Sequence, residues 1–194
     1  MTTLLQLTDT HLVPEGHLVS GRLETSEPLA RLVARLEEVK EQVGGIDAVL
    51  VTGDLSEDGS PESYERFKRL LAPLDLPLFV IPGNHDAREP MRSAFSQDGY
   101  LPEQGKLNWH RQIGTLHVIG LDTLVEGQGA GEVDDSTLGY LEATLADIGR
   151  EPAMIAMHHP PFTSGIVFMD DIGLASSVEL AKVLSQHRGE VRVV

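Results

Sequence analysis

The sequence predicts an α/β domain in which mixed β-sheets are flanked by helices. Two observations lead there. Short apolar runs alternate with amphipathic helical stripes along most of the 194 residues. Carboxylate, amide and imidazole side chains also stand directly after several of those apolar runs, at Asp9, Asp54, Asn84 and His158. In open α/β sheets ligands bind beyond the carboxyl ends of the strands, so separate chain segments deliver polar groups to one rim.

Residues 3–7 form the first short apolar strand. Ser26 is the expected N-cap of the first helix, with Pro28 in its first turn and Leu29, Leu32, Val33, Leu36, Val39 and Val43 on one face. Gly44-Gly45 ends it. Residues 46–51 are almost continuously apolar, the mark of a strand buried on both faces. Ser60-Pro61 opens a second helix with Tyr64, Phe67, Leu70 and Leu71 in one stripe. Residues 78–81 are a third buried strand, and a shorter helix is expected over 89–95.

The pattern then changes. Residues 107–112 and 115–121 read as strands joined at Ile113-Gly114, a hairpin. The Gly-rich stretch 126–133 reads as a loop. Asp134 or Asp135 caps a helix carrying Leu138, Leu141, Leu145 and Ile148. Residues 153–157 form a strand ending at His158, followed by a long loop, a helix over 177–186 and the start of a strand over 190–194.

With 41% hydrophobic and 23% charged residues, the composition is that of a globular domain able to bury a core. There is no apolar run of membrane-spanning length and no signal-peptide pattern at residues 1–7. Zero cysteines exclude a disulfide framework and thiolate chemistry, and the expected location is cytoplasmic. The net charge of −15 opposes non-specific binding to nucleic acid or anionic lipid. A small phosphate substrate is still admissible, because a local metal pair can dominate the field of its own site.

Each polar cluster has a bland reading when taken alone. Asp9-x-His11 reads as a capped turn and Gly53-Asp54 as a strand-to-loop turn. His158 and His159 before Pro160-Pro161 read as a solvated loop. Gly83-Asn84-His85-Asp86 is harder to dismiss, because it sets three different side-chain chemistries on one tight turn. Their convergence at strand ends favours one reaction centre over four accidents. The histidines and Asn84 favour metal chemistry over the two-carboxylate arrangement of a glycosidase.

Leu7-Thr8-Asp9-Thr10-His11, Thr52-Gly53-Asp54-Leu55, Ile81-Pro82-Gly83-Asn84-His85-Asp86 and Met157-His158-His159-Pro160-Pro161 together resemble the calcineurin-like metallophosphoesterases. The resemblance is closest to their class III branch of cyclic-nucleotide phosphodiesterases and glycerophosphodiesterases. The stretch Asp58-Gly59-Ser60-Pro61-Glu62-Ser63-Tyr64 also looks like this branch. It implies a metallophosphoesterase-type sandwich and two divalent ions. In the family pattern Asp9 and His11 bind the first ion, Asp54 bridges both, and Asn84 and His158 bind the second. His85 and Asp86 are the implied catalytic residues: His85 beside the phosphate, Asp86 orienting His85 or fixing the loop. His159 falls at a variable position behind the ligands.

A bridging carboxylate can hold two cations at the ~3.5–4 Å spacing useful for in-line displacement. The mixed nitrogen and oxygen donors suit Mn, Fe, Co or Zn better than calcium. The expected reaction is phosphodiester hydrolysis by attack of metal-bound hydroxide, on small substrates such as cyclic nucleotides or glycerophosphodiesters. The alternatives are a phosphomonoesterase or nuclease with the same metal pair, or a non-catalytic interaction module of this fold.

The family pattern ends in Gly-His-x-His, and no histidine follows His187 here. The 194 residues therefore read as a single metallophosphoesterase domain that is C-terminally incomplete, with one imidazole fewer per metal. His187 reads as a surface residue. A strand ending at Val194 is expected to leave an edge that favours a homo-oligomer. His17 reads as an exposed loop residue, His110 and His117 as structural, Trp109 as no basis for a base-stacking site, and Asp170-Asp171 as part of a solvated loop or a substrate-flanking lid.

Overall fold

The computed structural model describes residues 2–194. β1 (Leu4–Leu7), β2 (Ala48–Thr52) and β3 (Leu78–Ile81) form a parallel sheet in that order. β4 (Trp109–Ile113), β5 (Leu116–Gly120), β6 (Ala153–Ala156) and β7 (Val191–Val193) form a second sheet in sequence order. In it β4 and β5 are an antiparallel hairpin, while β5–β6 and β6–β7 pair in parallel. Ile113 faces Leu116 across the turn, and Gly114 takes the positive φ of 59° that the tight reversal needs.

α1 (Ser26–Val39), α2 (Pro61–Leu71) and α3 (Arg88–Ala94) cover the first sheet through Leu29, Val33, Phe67, Leu71 and Met91. α4 (Asp135–Ile148) and α6 (Ser177–Gln186) cover the second through Leu141, Leu145, Leu180 and Val183. α5 (Val167–Asp171) is a short turn of helix in the long loop after β6. Strand alternation divides β5 between two cores. Val118 packs into the cluster shared with the first sheet, and Ile119 into the cluster under α4 and α6. β2 is buried at all five positions, as its unbroken apolar run predicts for a central strand.

Trp109 locks the two sheets together. Its ring stacks on Phe79 at 5.3 Å, and its indole N–H donates to the Val80 carbonyl at 2.7 Å. A buried tryptophan needs a partner for that N–H, and the strand of the opposite sheet provides it. His110 and His117 are structural too. Their ring nitrogens meet at 2.8 Å across the hairpin, and His117 reaches Glu151 at 3.0 Å.

Several local expectations change. Ser26 lies inside α1 rather than at its cap, and the N-cap residue Thr25 makes no side-chain capping bond. The carboxylate of Glu24 does that work, accepting from the N–H groups of Ser26 at 3.2 Å and Glu27 at 2.7 Å. Leu32 is exposed, so the buried stripe of α1 is narrower than its apolar pattern, and the α-helix ends at Val39 rather than at Gly44-Gly45, with the exposed Val43 in a tighter 3-10 turn over Lys40–Val43. His187 is not a simple surface residue: its Nε2 is buried without a hydrogen-bond partner. α2 and α4 begin as expected, with Ser60 and Asp134 accepting from Ser63 and Thr137. Among the described residues no helix is long and apolar enough to cross a membrane.

Candidate metal centre

Parallel pairing puts the carboxyl ends of β1, β2 and β3 on one rim, and β6 ends beside them. Past the strand ends the β1–β2 pairing continues into the loops. Asp9 N donates to Gly53 O at 3.1 Å, His11 N to Asp54 O at 2.9 Å and Leu12 N to Leu55 O at 2.9 Å. The two loops are thus zipped together, and Asp9, His11 and Asp54 are brought to one point. The cost is visible in the backbone. Asp9, His11 and Asp54 all adopt positive φ, at 54°, 42° and 51°. That region is sparsely used by residues with a Cβ, and such strain clusters at functional sites.

Two glycines make the approach close enough. A Cβ on Gly83 would lie 2.1 Å from Asp54 Oδ1, and one on Gly53 would lie 2.4 Å from His158 Nδ1. The loop after β3 therefore rests directly on Asp54, and His158 from the second sheet lies directly on the loop after β2. The Nδ1–H of His158 donates to the Thr52 carbonyl at 2.9 Å, which makes Nε2 the nitrogen turned to the rim.

Asp54 is the hub. Its Oδ1 accepts the backbone N–H of His85 at 2.9 Å. Its Oδ2 lies 3.6 Å from His11 Nε2 and 3.5 Å from His158 Nε2. His11 Nε2 is also 3.6 Å from Asp9 Oδ1, and His158 Nε2 is 3.3 Å from Asn84 Oδ1. Gaps of this size suit two donor atoms each about 2.0–2.2 Å from a shared cation. Asp9, His11 and Asp54 accordingly form one group able to hold an ion. His158 and Asn84 form the opposite side of Asp54. All five residues singled out as ligands in the sequence are brought together.

The electrostatics match this arrangement. The His11 imidazole 3.6 Å away holds the Asp9 carboxyl below its ordinary pKa against partial burial. Burial opposes ionisation of Asp54, but His158, the His85 N–H and His11 outweigh it and lower its pKa. The neighbouring Asp9 carboxylate leads in pushing His11 up to about 9, with Asp54 and Glu57 adding to it against burial. His158 is raised as well: burial lowers it, and Asp54 more than compensates. In the metal-free protein protons therefore take up the charge that the carboxylates impose.

His85 stands beside this group with its side chain 39% exposed. Its Nδ1 lies 3.2 Å from the Glu57 carbonyl, and its ring meets the His11 ring edge-on at 4.8 Å. Asp86, expected to orient His85 or to fix the loop, does the second. Its buried carboxylate accepts from the N–H groups of Leu55, Ser56 and Gly83 and from the Tyr64 hydroxyl. Burial pushes its carboxyl up to about 6 against those donors. His159 sits behind His158, with Nδ1 2.7 Å from Thr123 Oγ1, and burial lowers it to about 4. Asp170 binds Ser164 and Gly165 within its own loop.

Sequence reasoning missed Glu57 and Tyr64. Glu57 Oε2 lies 2.8 Å from His11 Nδ1 and 3.3 Å from His85 Nδ1. The available signal was its place three residues beyond Asp54, on the same loop. Tyr64 read as part of an apolar stripe, yet its hydroxyl joins Asp86 to the Ala87 N–H.

Comparison with known proteins matches residues 2–193 to the family described as calcineurin-like phosphoesterase. The 3',5'-cyclic adenosine monophosphate phosphodiesterase CpdA of Pseudomonas aeruginosa is 36% identical over 184 residues, covering 95% of this chain and 64% of that protein. The glycerophosphodiester phosphodiesterase GpdQ of Enterobacter lignolyticus is 30% identical over 194 residues, covering 98% of this chain and 68% of that protein. The chain thus spans about two thirds of the length of these relatives. Among solved structures, TT1561 of Thermus thermophilus superposes with a TM-score of 0.60 at 17% identity, covering 98% of this chain and 80% of the other. That likeness concerns the fold alone.

Proposed function

The chain belongs to the calcineurin-like phosphoesterase family, and from that premise we propose that it is a metal-dependent hydrolase of small phosphodiesters such as cyclic nucleotides or glycerophosphodiesters. The observation that carries this reading is the shared Oδ2 of Asp54, placed between the Nε2 atoms of His11 and His158. Asp9, His11 and Asp54 would hold one divalent ion, and Asp54, Asn84 and His158 the other. When bound, the ions supply Lewis acidity that draws charge from the phosphoryl oxygens and makes water a stronger acid. Mn²⁺, Fe²⁺, Co²⁺ and Zn²⁺ fit these mixed donors.

The chain's own residues divide the remaining work. Asn84 gives an oxygen without charge, so Asp9 and Asp54 are the only anions among these ligands. Two divalent ions then leave an excess of roughly two positive charges by formal count, which an anionic diester can meet. His85 has its Nδ1 turned to the Glu57 carbonyl. Its Nε2 is then the nitrogen left to face the leaving oxygen, and the imidazolium form, protonated on both nitrogens, would hand that oxygen a proton. The Asp86 network fixes the turn that carries Asn84 and His85.

Hydrolysis of bis(4-nitrophenyl) phosphate, cyclic AMP, glycerophosphocholine and 4-nitrophenyl phosphate with added Mn²⁺ tests the reading. Diesters should be turned over in preference to the monoester, and Asp54→Ala should lose that activity by at least about a thousandfold, as expected when charge stabilisation at phosphorus is removed. Full activity in Asp54→Ala, or preference for the monoester, would overturn it.

A further inference from the structure

We propose that Glu57 is the positioning residue of His11, a carboxylate that fixes which nitrogen of that imidazole faces the metal centre. This inference rests on the metal-binding reading above and assigns a role to a residue outside the proposed ligand set.

The geometry is specific. His11 Nδ1 and Glu57 Oε2 are 2.8 Å apart, the length of a charge-assisted hydrogen bond. A carboxylate only accepts, so Nδ1 must carry the proton. Nε2 is then the nitrogen left to give up its proton to a cation, and it is the atom that stands 3.6 Å from both Asp9 Oδ1 and Asp54 Oδ2. Were Nδ1 to lose its proton instead, the N–H left on Nε2 would point into that gap and exclude a cation.

The two sides of the centre solve the same problem by different means. His158 is fixed by the Thr52 carbonyl, a neutral acceptor at a strand end. His11 has no strand behind it. It sits in the loop after β1, at a positive φ of 42°, and its ring is held by a side chain from the neighbouring loop. The Glu57 loop is itself anchored, since Glu57 N donates to Leu12 O at 2.9 Å. A carboxylate behind an imidazole also raises its basicity as a ligand, and removing such a partner typically costs 10–100-fold in metal affinity.

A competing arrangement is that Glu57 itself ligates an ion with His11 and His85, whose donor atoms lie close enough together. The hydrogen-bond distance favours positioning. Two atoms 2.8 Å apart share a proton, whereas two ligands of one cation stand wider, as His11 and Asp54 do at 3.6 Å.

The test is Glu57→Gln in the full chain, with circular dichroism to establish folding and ¹⁵N-edited NMR to observe the histidine ring protons. In the metal-free wild type, His11 should give a slowly exchanging, low-field Nδ1 proton, which moves upfield in Glu57→Gln. Calorimetric titration with Zn²⁺ should then show both proteins binding the same number of ions, one of them 10–100-fold more weakly in the variant. If Glu57→Gln does not fold, Glu57→Ala in the presence of stabilising salt gives the same two readouts. An unchanged His11 ring proton, unchanged affinity, or an ion lost from the count would overturn the proposal. Failure of the wild type to bind ions would instead reject the metal-binding reading, and the ring proton would still decide whether Glu57 holds His11.

Discussion

The backbone N–H of His85 donates to Oδ1 of Asp54 at 2.9 Å. This bond occupies one carboxylate oxygen and fixes the plane of the group. Oδ2 is thereby left facing the histidines of two different sheets, at 3.6 and 3.5 Å. The loop that carries His85 is therefore also what orients the Asp54 carboxylate.

Gly83→Ala tests that coupling. The new Cβ would fall 2.1 Å from Asp54 Oδ1 and 2.4 Å from Asp54 N, so backbone must move. The variant should lose about 1–3 kcal/mol of stability and most of its metal affinity, as overpacked sites do. Gly139→Ala is the control. That glycine lies in α4 with open space around it, and alanine there should stabilise by about 0.5–1 kcal/mol without touching metal binding. Thermal melts and metal titrations of the two variants would separate them, and equal effects would contradict the account.

Asp86→Asn should destabilise the fold by about 2–3 kcal/mol, because an amide cannot accept from all of Leu55 N, Ser56 N, Gly83 N and Tyr64 Oη. Tyr64→Phe should lose less, and the double variant less than the sum of the singles, since both act on one network. Strict additivity in urea denaturation would show that the network is not a unit.

In metal-free protein His11 is raised from 6.5 to about 9, led by the neighbouring Asp9 carboxylate. Its protonated form is favoured by folding, so this stabilisation is complete below about pH 6.5 and is lost as pH rises through about 9. Solvent screening at this partly exposed site keeps the corresponding free energy below about 3 kcal/mol. Melting temperature measured in EDTA should fall over that window in the wild type and fall less in His11→Gln. Identical pH slopes would contradict the assignment. With metal present the sign reverses, because the ion displaces the His11 proton and binds better as pH rises.

Much of this was legible in the sequence because strand ends and motif positions coincide. Asp9, Asp54, Asn84 and His158 each follow an apolar run, and a parallel sheet must bring such ends together. Ser60 and Asp134 were readable as caps because capping is local chemistry. What escaped depends on distance in the chain. Glu57 matters only once the loops after β1 and β2 are zipped, and Tyr64 only once α2 packs beside the Asp86 turn. Glu24 displaced Ser26 as the cap of α1 because a longer carboxylate reaches the same N–H groups from outside the helix. The apolar period of α1 gave no sign that Leu32 stays exposed or that the helix stops before Val43, since periodicity marks a face but not how much of it finds a partner.

The most direct test of the central claim is anomalous diffraction from crystals of this chain grown with Mn²⁺. The account predicts two peaks flanking Asp54 Oδ2, one within coordination range of Asp9 and His11 and the other of Asn84 and His158. Both should vanish or shrink to a single weak site in Asp54→Ala. A lone peak that does not contact Asp54, or two peaks unaffected by the substitution, would contradict it.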